Sequence, residues 1–151
     1  MGKIMLVLLL AVTIGVIGCP KKASLVRLDS KDYGDADRKA TATELERNGN
    51  TSKIKVVFQK RGGAVGDSIF IMMATYKVAE ARNYEYFVNL KEWDDNNGGW
   101  IYIAGFTNNK DADIKKEFGE QYNYENESGQ KRIYWSVSKL KEAMDSIKMK
   151  K

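Results

Sequence analysis

Two scarcities limit how this chain can fold: Cys19 is its only cysteine, and it has no histidine. A domain built beyond residue 19 has no internal disulfide, so packing and hydrogen bonding must hold it together. The same scarcities remove whole classes of chemistry. Ser-His-Asp and Cys-His nucleophile systems need an imidazole that is missing, and zinc sites of the usual Cys/His kind have no ligand set. No cofactor-binding motif is present, and no cofactor is expected.

From Lys53 the apolar residues become periodic. Ile54, Val56 and Phe58 alternate with Lys55, Val57 and Gln59, which predicts a strand with one face buried more deeply. Gly62-Gly63 interrupts it, and Asp67 or Ser68 is placed to cap a helix running to about Arg82. Ile69, Met72, Met73, Tyr76 and Ala79 recur at helical spacing. Phe70, Ile71 and Val78 lie off that face, so burial is expected more than halfway round. Asn83 is expected to stop the helix, because its short polar side chain tolerates the left-handed conformation.

Tyr84 to Leu90 and Trp100 to Phe106 are strand-like runs around the turn Asp94-Asp95-Asn96-Asn97-Gly98-Gly99, so residues 84–106 read as a hairpin. Residues 107–130 are polar, with a short helix expected from Asp111 to Phe118. Arg132 to Val137 reads as a strand. Lys139 to Lys148 reads as a helix with Leu140, Ala143, Met144 and Ile147 on one face. The order β-α-β-β-(α)-β-α predicts an α+β fold: a mixed or antiparallel sheet of about four strands with two helices packed on one face.

The stretch before Lys53 contrasts with this. Its large apolar residues Leu25, Val26, Leu28, Tyr33 and Leu45 follow no sustained period. They offer too little apolar surface to offset the entropy of ordering. Ala36 to Arg47 has helix-forming residues but only Leu45 to bury, so at best it frays. The expectation is a flexible tether over residues 19–52, reaching roughly 30 Å, with a single globular domain over 53–151. A flap packed on the domain is the alternative.

The first residues carry an address. Lys3 precedes an uncharged run from Met5 to Ile17, and small Gly18 then precedes Cys19. The run has the length of an export signal's apolar core and falls short of the roughly twenty residues that span a bilayer. Val16-Ile17-Gly18-Cys19 resembles the lipobox of bacterial lipoproteins. That resemblance implies a signal peptide at residues 1–18, cleavage between Gly18 and Cys19, and lipidation of the Cys19 sulfur with acyl chains such as palmitate. One chain binds a bilayer marginally at about 0.8 kcal/mol per methylene, whereas the two or three of a mature lipoprotein hold lastingly. Pro20 occupies the place of the Asp that often retains such proteins in the inner membrane, so the expected location is the periplasmic face of the outer membrane. A second resemblance rests on Val56-Val57-Phe58, Gly62, Ala79-Glu80 and Tyr84-Glu85-Tyr86-Phe87-Val88. These are similar to a family of small Gram-negative envelope lipoproteins with no assigned activity, which implies a fold and an address but no reaction.

Removing residues 1–18 from a 151-residue chain leaves 133, enough for one domain. The formal charge of +5 falls to about +4 without Lys3, and acidic and basic residues are interspersed, so nucleic acid is not an expected partner.

Four stretches invite a chemical reading. Gly62 to Ser68 joins a strand to a helix as phosphate loops do, but it lacks the phosphate-binding Lys and puts Asp67 where the anion would sit; it reads as a turn and cap. Asp94 to Gly98 supplies oxygen donors without the spacing of a calcium loop and reads as a solvated turn. Glu117, Glu120, Glu125 and Glu127 offer carboxylates, yet nothing in their spacing sets a pair across a cleft, as glycoside hydrolysis requires. Trp93 and Trp100 flank the hairpin turn, where they are expected to face each other and stabilise it by about 0.2–1 kcal/mol. Together with Tyr102 and Trp135 they form the best candidate surface for gripping a partner.

The expected function is therefore that of a membrane-anchored, non-enzymatic envelope lipoprotein. Its partners would be the bilayer, through acylated Cys19, and an envelope protein or the peptidoglycan wall. The alternatives are a carboxylate-dependent glycan hydrolase and a structural subunit of an envelope complex that pairs through a sheet edge.

Overall fold

The strand that starts the periodic region is one of six among the described residues. The computed structural model describes residues 25–33, 39–60 and 63–148. Residues 1–24, with the apolar run, Gly18 and Cys19 on which the export-signal expectation rests, lie outside the described residues. In chain order the elements are β1 (Arg27–Asp29), a 3₁₀ turn (Ser30–Tyr33), β2 (Ala40–Asn48), β3 (Thr51–Phe58), α1 (Ala64–Ala81), β4 (Tyr86–Asp95), β5 (Gly99–Thr107), α2 (Ile114–Phe118), β6 (Trp135–Ser136) and α3 (Val137–Lys148). The strands form one sheet in the order β1-β2-β3-β5-β4-β6, every neighbour antiparallel. Strands β3 and β4 therefore run parallel, with β5 between them and α1 as the crossover.

The fold is α+β, with six strands where about four were expected. The two extra strands come from the segment read as a tether. Strand β2 forms a tight hairpin with β3 through Gly49, which adopts a positive φ of 54°. The boundary drawn at residue 53 thus cuts a hairpin, and the sheet begins at Arg27. Sequence periodicity missed β2 because its inward residues are Ala40, Ala42 and Glu44. A bulge between Glu44 and Glu46 turns Leu45 outward, leaving it 42% exposed.

Each face of the sheet carries a core. On the first, Ile54, Val56, Tyr102, Ala104 and Phe106 pack against Phe70, Ala74, Val78 and Ala79 of α1, and α3 adds Val137, Leu140 and Met144. Two helices on this face agree with the expectation. On the other face, Val88 and Leu90 pack against Ile114 and Phe118 of α2. There Gly105 is a steric necessity: a Cβ would come 2.7 Å from Phe118 Cε1 and 2.9 Å from Leu90 Cδ1.

Helix α1 differs in detail from its expected form. It starts at Ala64 with Gly63 at the cap position and no side-chain cap, while Asp67 is buried in its first turn. Burial runs more than halfway round, as expected, taking in Phe70, Ala74, Tyr76, Val78 and Ala79, but Ile69 of the expected face is 47% exposed. The sheet's contours select which residues are covered, because α1 carries apolar residues around most of its circumference. Asn83 ends the helix in the left-handed region at φ 58°, as expected. The strand expected at 132–137 shrinks to Trp135 and Ser136, beside Phe87 and Tyr86 of β4. No helix among the described residues is long and apolar enough to cross a membrane.

Candidate functional site: a cavity between the first helix and the sheet

A bulge in β4 builds the site. Asn89 lies opposite Ala104, yet the next residue pairing on the same face is Glu92, opposite Tyr102. In a regular strand Lys91 would occupy that position. The extra residue exchanges a cation for a carboxylate beside Asn89. Both side chains then line a cavity of about 550 Å³ between the N-terminal half of α1 and the edge of the sheet, a volume in the range of small-ligand pockets.

The walls are mostly apolar. Helix α1 contributes Val65, Ile69, Ile71 and Met72; the sheet contributes Phe87, Ala104 and Tyr102; Trp135 closes one side from β6. At the mouth Val65 is 76% exposed and Trp135 43% exposed. Small Ala104 on the floor, facing a helix stretch that carries Ala64 and Ser68, leaves the space unfilled.

Most polar groups in the walls are already engaged. Ser68 Oγ donates to the Ala64 carbonyl at 2.8 Å, and Thr75 Oγ1 lies 2.9 Å from the Ile71 carbonyl and 3.1 Å from the Tyr102 hydroxyl. Burial pushes the Tyr102 phenol well above its ordinary range, and the Thr75 hydrogen bond opposes this only in part. Asn89 Nδ2 donates to Glu92 Oε2 at 2.6 Å, which fixes the amide's orientation, while the Asn89 backbone carbonyl accepts from Arg132 Nη1 at 2.6 Å. Arg132 also donates through Nε to the Asn123 carbonyl. Burial lowers its pKa, and the nearby Glu92 and Glu127 counteract that. Asn89 Oδ1 is left buried without a hydrogen-bond partner, a cost of about 1–3 kcal/mol. A second, polar hollow of about 310 Å³ adjoins the cavity, sharing Asn89, Glu92 and Trp135 and adding Lys91, Glu127, Lys131 and Arg132.

The four aromatic candidates separate. Tyr102 and Trp135 both line the cavity, Tyr102 fully buried in its floor and Trp135 accessible at its mouth. A partner can therefore touch Trp135 directly but reaches Tyr102 only by entering the cavity. Trp100 is half-buried against the first core, with its Nε1 unpartnered. Trp93 lies on the opposite face in a hollow with Ile103 and Tyr122. There Lys53 Nζ stands 5.7 Å and Lys91 Nζ 6.0 Å from its ring centre. The expected Trp93–Trp100 pair does not form: the register sets Trp93 against Ile101 and Trp100 against Asp94, and adjacent positions on a strand face opposite sides. The strands extend further into the turn than expected, and Asp95 meets Lys55 at 2.5 Å.

The acidic candidates do not converge. Glu117 Oε1 accepts from Asn50 at 3.2 Å, Glu127 lines the polar hollow, and Glu120 and Glu125 are exposed. No cluster of three metal-ligating side chains occurs among the described residues. Sequence reasoning missed Asn89 and Glu92. The signal that could have found them is a polar pair three residues apart inside a strand-like run, where a spacing of two would keep one face.

Compared with family models, curated proteins and solved structures, the chain has no significant match.

Proposed function

We propose that this chain is a bacterial envelope lipoprotein, anchored through acylated Cys19, whose domain is a non-enzymatic binding module. The leader ending Val16-Ile17-Gly18-Cys19 supports the address. The observation that carries the binding role is the open apolar cavity, whose mouth residues Val65, Ile69 and Trp135 are left to solvent. A surface of this kind is costly unless something covers it, and aromatic anchors beside pockets dominate binding energy at interfaces. Of the two partner classes, an envelope protein suits the cavity better than a wall glycan. A glycan's hydroxyls need hydrogen-bond partners along its length, and these walls offer few.

A photo-crosslinking residue at Val65, activated in intact cells of the native host, tests this reading. A discrete adduct with an envelope protein is expected, reduced at least about tenfold by Trp135→Ala, in line with the loss of an anchor contributing about 2 kcal/mol. No adduct, or one indifferent to Trp135, would refute the binding role. The address has its own test. Cys19→Ser is expected to move the chain from the membrane pellet to the soluble fraction, because every acyl chain hangs on that sulfur; retention in the membrane would refute it.

A further inference from the structure

The cavity occupies one face of the sheet, and α2 covers one end of the other, at Val88, Leu90 and Gly105. Resting on the lipid anchor read above, we propose that the rest of this second face lies on the anionic surface of the bilayer that holds the chain.

Three observations converge on this. The first is reach. Leu25, the first described residue, is six positions from Cys19, and six residues extend about 20 Å at most. That is less than the width of a domain of this size. The acyl chains therefore keep the domain at a high effective concentration of lipid, where a weak surface attraction is enough to seat it. The second is where the chain leaves the sheet. Leu25 and Leu45 flank the hydrogen bond from the Glu44 N–H to the Val26 carbonyl, and they are 48% and 42% exposed. Val26 and Glu44 turn inward on the α1 side, so the two leucines turn toward the second face. The third is charge. Cross-strand partners on this face run Arg27–Thr43–Lys55–Ile101–Trp93, with Lys53 and Lys91 both opposite Ile103. Arg27, Lys53 and Lys91 have no ion-pair partner among the described residues, whereas Asp29 pairs with Lys31 and Asp95 with Lys55. Glu46, opposite Lys53, is the acid left to offset these three cations, and the surplus favours an anionic surface. A half-buried tryptophan with lysines beside it suits the headgroup zone, where the ring sits at the boundary and the ammonium groups reach phosphate. Seated this way, the sheet stands between lipid and the cavity, which stays open to a partner.

The test places the full acylated chain in nanodiscs of phosphatidylethanolamine and phosphatidylglycerol that carry a gadolinium-chelating lipid. Paramagnetic broadening of the isoleucine methyls then reports which face meets the disc. Ile101 and Ile103 are expected to broaden several-fold more than Ile69 and Ile71, which lie across the sheet. In phosphatidylcholine discs the two faces should come level, a comparison that needs no mutation. Lys53→Glu combined with Lys91→Glu is expected to lower the docked population in the anionic discs at least about tenfold. Level broadening in the anionic discs, stronger broadening at Ile69, or a preference that survives neutral lipid or the paired substitution overturns the proposal. So does a photo-crosslinker at Thr43 that captures one protein in place of lipid in intact cells. Any of these results with Cys19 acylated leaves the anchor standing, whereas an unacylated Cys19 in material from the native host removes both.

Discussion

Replacing Phe106 by Ala is expected to destabilise the domain by about 4 kcal/mol, within the range for deleting a buried aromatic ring. Phe106 lies on β5, the central strand that joins the β2–β3 hairpin to β4, and it is wholly buried among residues from both sheet and helix. It stacks on Tyr84 with ring centres 5.8 Å apart, and the Arg82 guanidinium sits 5.0 Å from its centre. Arg82 in turn ties the end of α1 to the β2–β3 turn, donating to the Gly49 and Thr51 carbonyls and, at 2.8 Å, to Ser52 Oγ. Truncating the ring removes its own apolar contacts and the platform that holds this cation. No internal disulfide is available to compensate. Urea unfolding followed by circular dichroism measures the loss, and Phe106→Leu is expected to recover most of it. A loss below about 1 kcal/mol would mean that this core does not hold the sheet to α1.

The second large effect is expected at Glu44. Its carboxylate is buried yet fully employed: Arg47 donates to both oxygens at 2.6 Å, Ser52 Oγ donates at 2.7 Å, and the Val26 N–H donates at 3.0 Å. Glu44→Ala removes the buried carboxylate that Arg47 pairs with and takes the acceptor from two further donors, and removing one partner of a buried ion pair costs about 3–5 kcal/mol. The loss should concentrate at the sheet edge, because the Val26 contact is what draws the approach to β1 onto β2. Amide exchange at Leu28 and Thr43 is therefore expected to rise more than in β5.

The same site sets an acid sensitivity. Burial pushes the Glu44 pKa up, but the hydrogen bonds from Arg47, Val26 and Ser52 outweigh burial and leave it below the ordinary glutamate range. The folded state therefore holds its proton less tightly than the unfolded chain. This contribution is fully present above the unfolded pKa and is lost as pH falls through the lower folded value. The acid limb of the stability profile should be steeper in the unaltered chain than in Glu44→Gln. Parallel limbs would show that Glu44 is not the group being titrated.

Which elements were legible in the sequence follows from how local their causes are. Ile54, Val56 and Phe58 alternate in a strand that does bury one face, and residues 84–106 do form a hairpin. Asn83 does end α1, in the backbone region its side chain tolerates. Strand β2 gave no such signal. Two alanines and a glutamate can face a core only because β3 and Arg47 complete their surroundings, and those partners lie elsewhere in space or across a bulge. The site was half legible. Tyr102 and Trp135 were nominated and do line one cavity, whereas Trp93 and Trp100 were joined by a hairpin register that the turn does not adopt.

By itself the sequence determined that the domain must hold together without an internal disulfide, that a Ser-His or Cys-His pair cannot be assembled from its residues, and where its principal helix and central hairpin lie. These depend on residue inventory and on periodicities confined to one segment. Only the tertiary structure decided that Ile69 of α1 is left exposed, that the sheet reaches back to Arg27, and that Asn89 and Glu92 share a cavity with Trp135. Each of those depends on a register between distant strands. One inserted residue in β4 is enough to change which charge faces the cavity.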